Sequence, residues 1–139
     1  MAVMTKHLTV RTRGETDMVD LTEEVERAVK QTNLNNGVVT IFVQGSTGAL
    51  TTIEYEPGLL RDFPAMLERV APKSIDYEHE RRWHDGNGHS HVRASLLGPS
   101  LTVPFAAGKL TLGTWQQIVF IELDVRSRSR DLVLQIIGE

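Results

Sequence analysis

From residue 88 to the C-terminus, apolar and polar residues alternate with a period of mostly two, and this property restricts the fold more than any other. The segments "HSHVRASLLG", "SLTVPF", "GKLTL", "TWQQIVFIELDV" and "DLVLQIIG" carry the alternation and are separated by glycine, proline or charged turns. Side chains that alternate in this way lie on opposite faces of a sheet, so this half of the chain is predicted to be largely strand. That prediction includes "HSHVRASLLG".

The first half adds helices to the strands. Residues 7–13, "HLTVRTR", alternate as a half-buried strand, which Gly14 ends. Asp20 followed by Glu23 resembles a capping box, and Leu21, Val25, Ala28 and Val29 recur at helical spacing, which predicts a helix over 20–32. "GVVTIFVQ" at 37–44 is apolar and β-branched almost throughout, the pattern of a strand covered on both faces or nearly so. A further strand at 49–56 leads into Pro57 and the helical stripe Leu59, Leu60, Phe63, Met66, Leu67 and Val70, with Pro64 expected to split that helix in two. Two or three helices among seven or eight strands define an α+β domain with a large, mostly antiparallel sheet packed as a sandwich.

Composition bounds the function. A chain of 139 residues with 40% hydrophobic and 24% charged content is one globular domain, residues 1–139, large enough to bury a core without staples. A net charge of −3 leaves no footprint for nucleic acid. Cysteine is absent, which excludes disulfides, thiolate nucleophiles and sulfur-bound zinc. No apolar run reaches bilayer length and the N-terminus carries no signal-like segment, so no membrane association and a cytoplasmic location are expected.

The chemistry concentrates in "WHDGNGHSH", residues 83–91, which holds three of the five histidines. If 89–96 is extended, His89 and His91 share a face with Cα atoms roughly 6.6 Å apart and can converge on one metal. His79 in "DYEHE" can return across a hairpin as a third imidazole, with His84 as the alternative. Three imidazoles and a water form an open site for zinc or another transition metal. Asp85 and Asn87 suit either a turn or the orientation of a ligand. The competing reading is a polar turn with two surface histidines.

The residues that follow resemble a known family. "GNGHSH", then "GKLTLGTWQ", then Glu122-Leu123-Asp124 followed by "RSRSR" occur in the order found in the YjbQ-like proteins, also called the secondary thiamine-phosphate synthase family. The likeness extends upstream through "VTIFVQGSTGALTTIEYEPGLLRDF" and covers essentially the whole chain. Many members carry His-Thr-Thr where this chain has Gly45, Ser46 and Thr47, which looks like the archaeal-type branch. The resemblance implies an α+β sandwich, a homotrimer with clefts between subunits, and a weak thiamine-phosphate synthase activity beside an unsettled principal role.

That reaction displaces pyrophosphate from a pyrimidine-methyl diphosphate by a thiazole nitrogen, and needs cations around the leaving group. Arg93, Ser46, Thr47 and the arginines at 126–130 are the candidate contacts to a small phosphorylated molecule, and Asp85, Glu54 and Glu122 the candidate catalytic or metal carboxylates. "GSTG" reads equally as an anion-binding nest or a plain turn. Asn87 and Gln116 are further candidate ligand contacts, Gln116 and Glu122 being as well suited to structural hydrogen bonds. His79, His89 and His91 favour zinc, manganese or iron over Mg²⁺, the metal of a synthase. Three readings follow: a synthase-like transferase, a metal-dependent hydrolase of a small phosphorylated substrate, and a non-catalytic trimer that binds a metal or an anion.

Overall fold

The computed structural model describes all residues, Met1–Glu139. It contains β1 (Ala2–Arg11), β2 (Met18–Asp20), α1 (Thr22–Lys30), β3 (Gly37–Val43), β4 (Gly48–Ile53), α2 (Pro57–Val70), α3 (Glu78–Trp83), α4 (Gly88–Leu97), β5 (Ser100–Ala106), β6 (Lys109–Leu110), β7 (Gln117–Glu122) and β8 (Ser129–Gly138). The strands form a five-stranded sheet ordered β1-β8-β3-β5-β6 and a three-stranded sheet ordered β2-β7-β4. Every pairing is antiparallel. The expected α+β architecture is the one observed. No helix is long and apolar enough to cross a membrane.

The alternation in β7 explains the layering. Ile118 and Phe120 enter a core shared with Val39, Ile41 and Val43 of β3, Leu132, Leu134 and Ile136 of β8, and Val25 and Val29 of α1. Val119, Ile121 and Leu123 point the other way, into a second core with Leu67 of α2 and Ala94 of α4. The small sheet is therefore the middle layer, covered on one face by the large sheet and on the other by helices. At about 25 cal/mol per Å² of apolar surface removed from water, a strand buried on both faces contributes more per residue than any other. The large sheet by contrast has an open outer face: Phe42 is 43% exposed, so β3 is covered on one face rather than two.

Two further local expectations change. Pro64 lies inside a continuous α2. This helix starts where Glu56 accepts from the N–H groups of Gly58 and Leu59, with Pro57 in the first turn where its missing N–H costs nothing. The segment 88–97, expected as strand, is the helix α4. Beyond Gly88 at its start, its buried residues His89, Ser90, Arg93 and Ala94 fall on one helical stripe, while Val92 and Leu96 face outward at 47% and 60% exposure. Polar side chains occupy the buried face and apolar ones the open face, so the hydrophobic period hides the helix. The number of helices rises to four because α3 and α4 flank the histidine-rich turn.

Candidate functional site

Because 88–97 is helical, His89 and His91 project in different directions rather than sharing a strand face. His89 is buried at 1% exposure and its Nε2 bonds to Glu15 Oε1 in the turn after β1. Glu15 also accepts from Lys73 Nζ at 2.7 Å. Burial opposes ionisation of Glu15, but the bonds from Lys73 and His89 outweigh it and hold the carboxyl below its ordinary range. Arg93, also buried, donates to the Ala71 carbonyl at 3.0 Å and to Glu68 at 2.7 Å. Both residues fasten α4 to its surroundings. His89 is thus separated from the expected three-histidine set, and Arg93 from the expected anion contacts.

His79 and His91 do come together, with ring centroids 4.4 Å apart. The turn between α3 and α4, with His84 and Gly86 in left-handed conformations, returns the chain so that Asp85 Oδ1 lies 3.2 Å from His79 Nε2. Asn87 completes the corner and is caught between two carboxylates. One heavy atom of its amide is 2.8 Å from Asp85 Oδ1, 3.2 Å from Asp85 Oδ2 and 3.0 Å from His79 Nε2; the other is 3.4 Å from Asp124 Oδ1. With its nitrogen toward Asp124, the amide oxygen faces Asp85; reversed, the nitrogen serves Asp85 and the oxygen faces Asp124. Reversed, the amide donates to Asp85 and His79 while Asp124 Oδ1 keeps the Val125 N–H at 2.8 Å, so hydrogen bonds alone satisfy both carboxylates. With the amide oxygen toward Asp85 instead, a cation between Asp85, His79 and that oxygen would do the same.

Burial first, and then the neighbouring His79, draw His91 below its ordinary value of 6.5, which favours the neutral imidazole a metal requires. The histidine and carboxylate side chains alone do not assemble a set of three around one point. A metal here would require His79, Asp85 and His91 to close around it, with the Asn87 oxygen as a further donor and its remaining positions open to water or ligand.

Behind this corner lies a buried polar network. Glu122, fully buried, accepts from Thr12 Oγ1 at 2.8 Å, Arg130 Nε at 2.9 Å, Arg130 Nη2 and the Asp124 N–H at 3.1 Å. With four donors on two oxygens it has no lone pair left for a substrate, and the expected catalytic role gives way to that of a scaffold. Arg130 Nη2 also donates to Thr47 Oγ1 at 2.8 Å, and Thr47 Oγ1 to Asp124 Oδ2 at 3.2 Å. Arg128 Nε reaches the same Asp124 oxygen at 2.8 Å. Burial works against ionisation of Asp124, yet Arg128, the Val125 N–H and Asn87 hold its carboxyl below the ordinary range. Asp124 therefore joins the Thr47 loop to the histidine corner, a residue not expected from the sequence although Glu-x-Asp followed by alternating arginines announces such pairing.

Glu54 and Gln116 belong elsewhere. Gly48 pairs with Glu122 and Ile53 with Gln117, so Thr47 and Glu54 lie beyond opposite ends of β4, roughly 20 Å apart by strand rise. Gln116 Nε2 donates to Thr52 Oγ1 at 3.1 Å, beside Glu54 and the exposed Trp115. The largest surface groove, ≈ 700 Å³, is also remote from the histidines; Asp20, Glu23, Glu24 and Tyr55 line it, and its acidity repels anions.

Two antiparallel sheets and four helices, with an imidazole, carboxylate and amide corner set on a buried Glu–Arg pair, define an α+β protein with a polar surface site rather than a deep cleft. The chain belongs to the UPF0047 protein YjbQ-like family, whose pattern matches residues 6–139. It is 40% identical over 117 residues to a UPF0047 protein of Archaeoglobus fulgidus, covering 84% of this chain and 89% of that one. A UPF0047 protein of Methanothermobacter thermautotrophicus is 38% identical and covers 100% of this chain and 95% of its own. Among solved structures, a YbjQ-like protein of unknown function from Sulfolobus solfataricus superposes with a TM-score of 0.94 at 34% identity, covering 99% of both chains.

Proposed function

We propose that this protein is a metal-dependent enzyme acting on a small phosphorylated molecule, with a divalent ion held by His79, Asp85, Asn87 and His91. The observation that carries the reading is the corner itself, in which the His79 and His91 rings lie with centroids 4.4 Å apart and Asp85 and the Asn87 amide stand within 3.2 Å of His79 Nε2, so that imidazole, carboxylate and amide donors face one another at the surface. Imidazole donors favour zinc, manganese or iron over Mg²⁺. A metal of this kind with an open position makes bound water acidic, and hydrolysis of a phosphate ester is the reaction such a donor set suits. Asp85 is the carboxylate that orients the ion.

Arg128 and Arg130, gathered near Thr47, favour a second reading, because two guanidinium groups suit a diphosphate leaving group. That is the thiamine-phosphate synthase reaction, in which the bond from the pyrimidine methyl to oxygen breaks as the bond to the thiazole nitrogen forms. The working unit in either case is a homotrimer. The outward-facing Val92 and Leu96 of α4 and Trp83 at 61% exposure supply apolar surface for a second copy.

The test uses tag-free protein, stripped with chelator and reloaded with zinc, manganese or magnesium. A panel of phosphate monoesters is assayed for phosphate release, and pyrimidine-methyl diphosphate with thiazole phosphate for condensation. Release that follows zinc or manganese loading supports the hydrolase. Condensation alone supports the synthase, and a bound metal with neither activity assigns the protein to the non-catalytic class.

A further inference from the structure

We infer that the loop Gly45–Thr47 and the floor provided by Arg130 form an oxyanion-recognition notch, which takes the phosphate group of the small molecule; the identity of that ligand rests on the function proposed above. Arg130 is only 5% exposed. Its Nε and Nη2 are engaged by Glu122 and Thr47, whereas Nη1 bonds to nothing in the protein. Among buried side-chain atoms sealed from solvent, Ser90 Oγ alone lacks a partner, so Nη1 keeps contact with solvent. A guanidinium fixed along one edge by a carboxylate presents its other nitrogen as an oriented donor with little conformational freedom left to lose.

The backbone above it is equally unsatisfied. The N–H groups of Gly45, Ser46 and Thr47 donate to no acceptor in the protein. Successive free N–H groups in a turn form a nest for an anion. Gly45 keeps the two sets of donors open to each other. Its φ of +146° disfavours any side chain, and a Cβ added there would lie 3.0 Å from Arg130 Nη1. Ser46, exposed at the rim, adds a hydroxyl. A tetrahedral oxyanion matches converging N–H, guanidinium and hydroxyl donors better than a spherical ion does.

The notch is tested without metal, so that its outcome does not depend on the histidine corner. Inorganic phosphate is titrated into metal-free protein at constant ionic strength set with chloride, and backbone amide shifts are followed by NMR. The Gly45, Ser46 and Thr47 amides and the Arg130 guanidinium should move saturably, and Gly45→Ala should weaken phosphate about tenfold or more while the metal content of reloaded protein stays unchanged. Amides of 45–47 that do not respond to phosphate, or a response confined to His79 and His91, would overturn the notch and leave the metal reading standing. Saturable shifts at 45–47 in a protein that never binds metal would sustain the notch and remove the metal.

Discussion

At Glu122 the chain places a carboxylate at zero exposure and surrounds it with four donors, two of them from Arg130. Removing one partner of such a pair strands the other charge, so Glu122→Gln should lower stability by about 3 to 5 kcal/mol, read as a lower urea midpoint at unchanged slope; an unmoved midpoint would contradict the scaffold role. Glu15 gives a pH-dependent counterpart. Its folded-state value lies below the ordinary 4.5, since the bonds from Lys73 and His89 outweigh burial. Its contribution is therefore complete above the ordinary value and is lost as pH falls through the depressed one. Glu15→Gln should flatten the acid limb of the stability–pH curve below about pH 4.5, and an acid limb identical to that of the parent would remove Glu15 from the account. Single residues also show what the sequence could tell. The polar character of 79, 85, 87 and 91 was visible, but the partners of His89 and Arg93 were not, because Glu15 and Glu68 lie 74 and 25 residues away and nothing local announces them.

The element that misled is α4. A period of two and a period of 3.6 can both be drawn through a ten-residue stretch in which His, Ser and Arg are buried and Val and Leu exposed. The strands were legible because β7 and β8 carry apolar residues where the two cores need them, and the helix α2 because its stripe is apolar. Register between α3 and α4 depends on Gly88, whose N–H bonds to Glu80 and whose added Cβ would lie 2.5 Å from Tyr77 Cβ. Gly88→Ala should therefore cost about 1 to 3 kcal/mol through overpacking and widen the gap between His79 and His91, so that both melting temperature and metal affinity fall. A variant that melts like the parent would show that the two helices are not so tightly coupled.

For the whole molecule, the antiparallel pairing of β4 and β7 sorts the expected site residues to two ends, with Thr47 and Asn87, joined through Asp124, at one and Glu54 and Gln116 at the other. Sequence order could not separate them, since both groups flank the same strands. The open apolar face of α4 predicts self-association, and sedimentation should give three times the 15.6 kDa chain mass, whereas a species of one chain mass would contradict the trimer. Whether the corner of His79, Asp85, Asn87 and His91 holds an ion is decided by metal content per chain, measured by elemental analysis of tag-free protein together with the variants His91→Ala and His89→Ala. The expected result is about one ion per chain in the parent, its loss in His91→Ala, and its retention in His89→Ala, which loses stability instead. A parent free of metal after incubation with zinc or manganese, or unchanged content in His91→Ala, would contradict it.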